Sequence, residues 1–324
     1  MIVFRDASSI PSDFGESVVA IGKFDGLHAG HRAIVEKLLV DAASRDARTV
    51  AVTFDRNPLA TIAPERCPEQ VVGVEQKIDL LAATGLDAAL VLTFDEALAS
   101  VPAEDFVMRY LVEGLRTQRV LVGEDFRFGA HGAGDVDLLR RMGAEHGFTV
   151  EKMRDVASAA AAGADAGRRV SSTWIRELLS EGDVERAAKL LGRSHAVRGE
   201  VVHGLQRGRE LGFPTANLAP DLAGFVPADG VYAGWLIVRR PEGELGTGSR
   251  YPAAISVGTN PTFDDVPQRV VEAHVIDRDD LDLYDRSVDV EFVAWIRGMV
   301  AFDGLEPLIA QMRSDVDRAR ELLR

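Results

Sequence analysis

The sequence predicts two domains, an α/β half built on a parallel sheet and a β half built on antiparallel strands. Three observations carry this. In the first part of the chain short β-branched runs alternate with amphipathic helical patterns, the texture of a sheet covered on both faces. Beyond residue 192 it changes to short strand-like runs spaced by Gly, Pro and Asp turns, which points to an antiparallel barrel or sandwich. The chain's 324 residues are enough for about two domains, each with a core.

The elements follow in order. SVVAIG (17–22) reads as a strand, and HRAIVEKLLVDAA (31–43) as a helix with Ile34, Val35, Leu38, Leu39 and Ala42 on one face. TVAVTF (49–54) is a strand, VEQKIDLLAATG (74–85) a helix closed by Gly85, and DAALVLTF (87–94) a strand. PAEDFVMRYLVEGL (102–115) is a helix with Pro102 in its first turn, RVLVGEDF (119–126) a fourth strand, and residues 135–146 a further helix. The Ala/Gly-rich ASAAAAGADAG (157–167) has little to pack and reads as a loop, although alanine alone permits a helix. Two short helices, TWIRELLSEG (173–182) and DVERAAKLLG (183–192), close this half.

In the second half HAVRGEVVHG, FPTANL, GVYAGWLIVRR, YPAAISVG, VVEAHVID and SVDVEFVAWI are the strand-like runs. The last segment, 305–323, has helical spacing through Leu308, Ile309, Met312, Val316 and Ala319. The boundary falls near residues 188–192, giving domains 1–188 and 189–324.

Hydrophobic residues are 46% and charged residues 27%, an ordinary globular balance. A formal charge of -14 repels nucleic acid and anionic membrane surfaces, so an anionic ligand must be held by local groups. The single cysteine, Cys67, excludes an internal disulfide and any multi-cysteine metal site. Arg5 and Asp6 interrupt the N-terminus, and no run of 18 apolar residues occurs. The expectation is a cytoplasmic protein without a span or signal peptide.

IGKFDGLHAGH (21–31) places His28 and His31 in a turn that meets a helix start, among Gly22, Gly26 and Gly30. A phosphate cradle, a metal site and a plain glycine turn all fit such a run taken alone. Backbone N–H groups and the helix dipole attract anions there, and imidazole N–H groups can bond phosphate oxygens. The spacing is not that of a zincin helix and no third ligand is evident. RRVSSTWIR (168–176) gathers Arg169, Ser171, Ser172, Thr173 and Arg176 at another helix start. An ordinary Ser/Thr N-cap accounts for the hydroxyls, whereas two flanking arginines in so acidic a chain favour a polyphosphate clamp.

Together GKFDGLHAGH, TFDRNP (53–58), VGEDFRFG (122–129) and VSSTWIRELLSEGDVERAAKLLGR (170–193) resemble the adenylyltransferase half of bacterial bifunctional riboflavin kinase/FAD synthetases. LGFPTAN (211–217), DGVYAG (229–234), ISVGTNPTF (255–263), VVEAHVID (270–277) and DLYD (282–285) resemble the riboflavin kinase half. The resemblance implies a Rossmann-like α/β nucleotidyltransferase domain followed by a six-stranded antiparallel β-barrel with a terminal helix. It implies a kinase that makes FMN from riboflavin and ATP, and a transferase that makes FAD from FMN and ATP with release of pyrophosphate. The alternatives are a kinase with an inactive or altered nucleotidyltransferase half, and a non-catalytic flavin-binding regulator.

On the residues that match, the resemblance implies ATP and phosphate contacts from Gly22, Phe24, Asp25, Gly26, His28, His31, Asp125, Arg169, Ser172 and Thr173. His28, His31 and Arg169 would neutralise transferring charge, and Asn57, Pro58, Phe126 and Phe128 would face the flavin. Core packing at a strand end accounts equally well for the two phenylalanines taken singly. FMN brings an anionic phosphate nucleophile, so this step needs positioning and charge neutralisation but no base.

In the kinase half the resemblance implies Glu272 as the base for the riboflavin 5′-hydroxyl and Thr215 and Asn217 as Mg²⁺ ligands. Gly204, Gly208, Gly212 and Pro214 would cover ATP beside them, and Arg297 and Phe302 would contact flavin. Riboflavin, FMN and ATP are the implied small-molecule partners, Mg²⁺ the implied cofactor, and apo-flavoproteins acceptors of the FAD. Two departures stand out. Arg56 and Asn57 replace the Pro and His of many members, and Met299 and Ala301 replace a usual acidic and basic residue.

Overall fold

The computed structural model describes residues 1–154, 167–203, 211–240, 248–260 and 268–324. The expected loop at 157–167 lies, but for Gly167, outside the described residues, as do Gly204 and Gly208. By packing, the chain divides into two compact units, Met1–Gln70 with Val74–Ser171, and Val71–Gly73 with Ser172–Arg324.

The first unit is a six-stranded sheet in the order β1-β4-β3-β2-β5-β6, every pair parallel. The strands are β1 (Ile2–Phe4), β2 (Ser17–Ile21), β3 (Arg48–Phe54), β4 (Ala88–Leu92), β5 (Thr117–Val122) and β6 (Thr149–Lys152). The four inner strands are those expected from the apolar runs. The two edge strands, IVF and TVEK, are short and half-exposed, so neither carries the long apolar run that marks the inner strands.

Alternate residues of β2 face opposite ways. Val19 and Ile21 join a core with Val50, Val52, Leu90, Val120, Phe106 and Leu139. Val18 and Ala20 join another with Ala51, Leu121, Val35, Leu38 and Leu81. Both faces of the sheet are therefore dry, which is why its strands read as continuous apolar runs.

The helix expected at 102–115 forms, with Pro102 at its N-cap and a first turn over Ala103–Phe106. From Val107 to Gly114 its winding widens to a π-helix, with Leu115 N–H donating to Tyr110 O at 3.0 Å.

The second unit holds a closed barrel in the order β10-β11-β8-β7-β12-β9, every pair antiparallel. Its strands are β7 (His195–Val202), β8 (Thr215–Leu218), β9 (Gly230–Val238), β10 (Arg250–Asn260), β11 (Gln268–Val275) and β12 (Ser287–Arg297). Inward residues such as Val197, Ala216, Ile255, Val271, Ala273 and Val290 are buried. The helix Leu305–Leu322 lies against the barrel through Ala319 and Val316, beside Ala233 and Ala294.

The two short helices, Ser172–Ser180 and Val184–Leu191, count with the barrel unit by packing, ahead of the boundary expected near 188. Trp295 of β12 shows why. Its ring fills the space beside Gly182, where an added Cβ would come within 2.5 Å, and the Trp295 main-chain N–H donates to Glu185 Oε1.

Candidate active sites

In the parallel sheet the chain runs from β2 to β3 and β4 on one side, then crosses to β5 and β6 on the other. The order reverses between β2 and β5, and the carboxyl ends of strands at such a reversal are the usual ligand position in open α/β sheets. The turn that leaves β2 is residues 22–28. Phe24 and Leu27 adopt φ of 49° and 41°, and Gly26 84°. Left-handed backbone at two bulky residues costs on the order of 1–3 kcal/mol each. Phe24 and Leu27 are almost fully buried in the sheet core, and burial of side chains that size returns about 1.5–3 kcal/mol each. The strained turn is thus held down by its own apolar side chains.

The glycines have separate uses. Phe24 folds back so that a Cβ on Gly22 would lie 3.4 Å from its ring. A Cβ on Gly30 would lie 3.1 Å from Cε1 and 3.2 Å from Nδ1 of His28. Gly26 supplies positive φ. Two of the three glycines therefore make room for this chain's own rings.

His28 is the N-cap residue of the helix Ala29–Ala43, and its carbonyl accepts the Arg32 N–H at 2.9 Å. The rings of His28 and His31 stack with centroids 3.7 Å apart, and Phe24 meets His31 edge-on at 5.3 Å. Nδ1 of His31 is buried and has no hydrogen-bond partner among the described residues. Burial pushes the His31 pKa well below 6.5, and the charges of His28, Lys23, Lys77 and Arg169 push the same way. Three cations, Lys23, Lys77 and Arg169, thus gather round His31 in a chain of charge -14.

Asp125 and Arg169 pair at 2.8 Å on the surface. The segment carrying Arg169 passes near the helix start, since a Cβ on Gly30 would lie 3.9 Å from Val170 O. Ser172 and Thr173 open the helix Ser172–Ser180 in the other unit, where Arg176 donates to Thr173 Oγ1 at 3.3 Å.

In the barrel, β8 and β11 place Asn217 directly opposite Glu272 and Thr215 opposite His274. Their neighbours Ala216, Val271 and Ala273 point into the dry interior, so Thr215, Asn217, Glu272 and His274 share the outer face. Asn217 Nδ2 donates to Thr215 O at 3.2 Å and to its Oγ1 at 3.3 Å. His274 Nδ1 lies 2.9 Å from Pro214 O. A cavity beside them is lined by Thr215, Asn217, Val275, Arg278, Leu281 and Tyr284. Gly212, which leads into β8, has φ of 86°.

Two family models cover most of the chain: FAD synthetase matches residues 10–173 and Riboflavin kinase residues 191–323. The bifunctional riboflavin kinase/FMN adenylyltransferase of Escherichia coli (strain K12) is 35% identical over 94% of this chain and 92% of its own length. That of Pseudomonas fluorescens is 35% identical over 99% of this chain and 98% of its own length. This chain belongs to the bifunctional riboflavin kinase/FMN adenylyltransferase family. A crystal structure described as a macrolide-efflux protein from Streptococcus pneumoniae also matches, with a TM-score of 0.82, 29% identity and 98% coverage of both chains.

Several residues singled out for the riboflavin kinase/FMN adenylyltransferase resemblance have structural partners. Asn57 Oδ1 accepts the Leu59 N–H at 3.1 Å, and Pro58 is the N-cap residue of the helix Leu59–Ile62. Arg56 pairs with its neighbour Asp55 at 3.1 Å. Phe128 is buried beside Phe106 and stacks on the half-buried Phe126, 5.4 Å between centroids. Phe128 thus packs as core at the strand end and backs Phe126. Arg297 gives its guanidinium to Asp315 of the terminal helix, at 2.9 Å and 2.6 Å, with Phe302 5.8 Å below it.

Sequence reasoning missed Lys77, which is 5% exposed. Its Nζ donates to Phe54 O at 2.5 Å and to Lys23 O at 3.4 Å. The signal was present: Val74, Lys77, Ile78 and Leu81 fall at i, i+3, i+4 and i+7 of VEQKIDLL, so the lysine shares the apolar stripe. It also missed Arg278 and Tyr284, which line the barrel cavity from a loop. DLYD carries that tyrosine, and His203 stacks on it at 3.8 Å.

Proposed function

We propose that the chain phosphorylates riboflavin at its barrel and adenylylates the resulting FMN at its parallel sheet, the pair of activities named for its family. The observation that carries the adenylyl half is the strained turn at the sheet's reversal. It sets a stacked histidine pair at a helix N-terminus, in a positive locale that suits a polyphosphate. The FMN phosphate oxygen attacks the α-phosphorus of ATP, the bond to the β-phosphate oxygen breaks, and pyrophosphate leaves. His28, His31 and Arg169 hold the charge that develops, with Gly22, Phe24, Asp25, Gly26, Asp125, Ser172 and Thr173 around the nucleotide. Phe126 lines the flavin side, together with Asn57 and Pro58.

At the barrel Glu272 takes the proton of the riboflavin 5′-hydroxyl while that oxygen bonds the γ-phosphorus and ADP leaves. The register that places Glu272 opposite Asn217 supports this role. Mg²⁺ is part of the proposal. Thr215 and Asn217 offer neutral oxygens, and among the described residues no group of three His, Cys, Asp or Glu could hold a metal. That donor set fits an ion that takes most of its ligands from substrate phosphates and water. When bound, Mg²⁺ would neutralise phosphate charge. Gly204, Gly208, Gly212 and Pro214 border ATP in this proposal, and Arg297 with Phe302 borders the flavin.

The catalytic division proposed is 1–188 for adenylyl transfer and 189–324 for the kinase. Cytoplasmic action belongs to the same reading because both steps consume ATP, and apo-flavoproteins are the proposed acceptors of FAD. Among the described residues no helix is long and apolar enough to cross a membrane.

A product time course tests the proposal. Purified protein given riboflavin, ATP and Mg²⁺ should form FMN first and FAD after it. FMN that accumulates without FAD removes the adenylyl half, and riboflavin left unchanged removes the kinase half.

A further inference from the structure

Lys77 is a buried ammonium at the carboxyl edge of the parallel sheet, on the helix Val74–Ala82. Its two acceptors are main-chain carbonyls on neighbouring strand ends. Phe54 is the last residue of β3, and Lys23 lies in the turn after β2, directly before the left-handed Phe24. Thr53 Oγ1 donates to the same Lys23 carbonyl at 3.2 Å. The carbonyl that opens the strained turn is therefore gripped from two elements, by a cation and by a hydroxyl.

We propose that Lys77 is a positioning residue of the adenylyl-transfer site, where its ammonium, bonded to the Lys23 and Phe54 carbonyls, fixes the turn that presents His28 and His31. This rests on the function proposed above. Apolar burial of Phe24 and Leu27 anchors the turn from one side, but it is non-directional and leaves the peptide planes unspecified. Hydrogen bonds from a cation are directional and about twice as strong as neutral ones. A methionine in place of Lys77 keeps the length and burial of the side chain and removes only the donors and the charge.

The role carries a pH signature. Burial brings the Lys77 pKa down to about 8, against the pull of the Asp25 and Asp55 carboxylates. The other charged or titratable groups of the locale are Lys23, His28, His31 and Arg169. His31, whose pKa lies well below 6.5, does not titrate in the alkaline range, and Lys23 and Arg169 are exposed cations. Loss of the Lys77 proton above about pH 8 weakens its grip on both carbonyls.

The test follows FAD formation from FMN, ATP and Mg²⁺ between pH 6.5 and 9.5, with riboflavin phosphorylation in the same sample as reference. In the unsubstituted protein kcat/KM should fall above about pH 8. Lys77→Met should lower kcat/KM roughly 30-fold at pH 7, the loss expected for hydrogen bonds from a charged donor. It should also abolish the alkaline fall and leave riboflavin phosphorylation unchanged. A Lys77→Met protein with full adenylyl transfer at pH 7, or one that retains the alkaline fall, overturns the proposal. Should that variant not fold, Thr53→Val takes its place. It should cost about fivefold at pH 7 and keep the alkaline fall, and an unchanged rate overturns the proposal. Unsubstituted protein that makes FMN but no FAD rejects the adenylyl reading itself, a result distinct from either variant's.

Discussion

The imidazoles of His28 and His31 lie face to face, 3.7 Å between centroids and 17° between planes. Two imidazolium charges at that distance repel strongly, so at least one ring stays neutral at neutral pH. His31 is that ring, because its burial opposes protonation before any neighbouring charge is counted. The pair can then bond phosphate with one neutral ring without needing to titrate. In an NMR titration His31 should remain neutral at pH 6. The His28→Asn protein should show a higher His31 pKa, still below 6.5 because burial persists. A His31 that titrates at 6.5 in the unsubstituted protein would falsify this assignment.

Gly30 offers a narrower probe of the same pair. An added methyl would sit 3.1–3.2 Å from the His28 ring, closer than ordinary contact, so the ring must shift by a few tenths of an ångström. Gly30 lies within the helix Ala29–Ala43, and alanine there gains about 1 kcal/mol of helix propensity. Gly30→Ala should therefore leave thermal stability equal or slightly raised while FAD formation falls about tenfold. Parallel measurement of the melting temperature and the adenylyl-transfer rate separates the two effects. A rate unchanged from that of the glycine protein would show that the ring position does not matter.

His195 in the barrel is a pH sensor of stability rather than of catalysis. Its ring is fully buried, with Nε2 2.6 Å from Phe225 O, and burial holds its pKa at about 4. The folded form binds its proton less readily than the unfolded chain, whose histidine titrates near 6.5. Above pH 6.5 both states are neutral and the group is silent. Between 6.5 and 4 the unfolded state takes the proton first, so stability falls as pH falls through that window. The contribution at pH 5 is a loss of about 2 kcal/mol relative to pH 7. Urea unfolding at both pH values should show that difference shrink in His195→Gln, and an equal difference in the two proteins would assign it to other groups.

The inner sheet, the barrel strands and the terminal helix were legible because their apolar spacing repeats over many residues. The edges were not: IVF and TVEK are too short for periodicity to register. The histidine turn was legible as a glycine run at a helix start, yet the use of its glycines was not. Only in the folded chain does the His28 ring come to occupy the space above Gly30. Lys77 escaped notice because a lysine on an apolar stripe reads as a stem lying along the surface with its charge in water. What keeps its charge inside is a pair of carbonyls, 23 and 54 residues away in sequence, and no local pattern encodes such a pairing.

In the proposed division of labour, Glu272 separates the two chemistries. Its register partner across β8 is Asn217, and across β10 it is Ser256. The strand pairing thus sets a neutral polar residue on either side of Glu272. The riboflavin hydroxyl has to lose a proton as its oxygen bonds phosphorus, whereas the FMN phosphate has none to lose. Removing the base should therefore hurt one step and spare the other. Glu272→Gln keeps the shape and the strand pairing, and should lower FMN formation at least ~100-fold, the lower end of general-base contributions. FAD formation from supplied FMN should stay within about twofold, because that step draws on the histidine turn and needs positioning rather than a base. Glu272→Asp, which retains a carboxylate about one bond shorter, should recover part of the lost rate only if proton acceptance is what the glutamate supplies. Equal losses in the glutamine and aspartate proteins would instead make position, not basicity, the requirement at this strand.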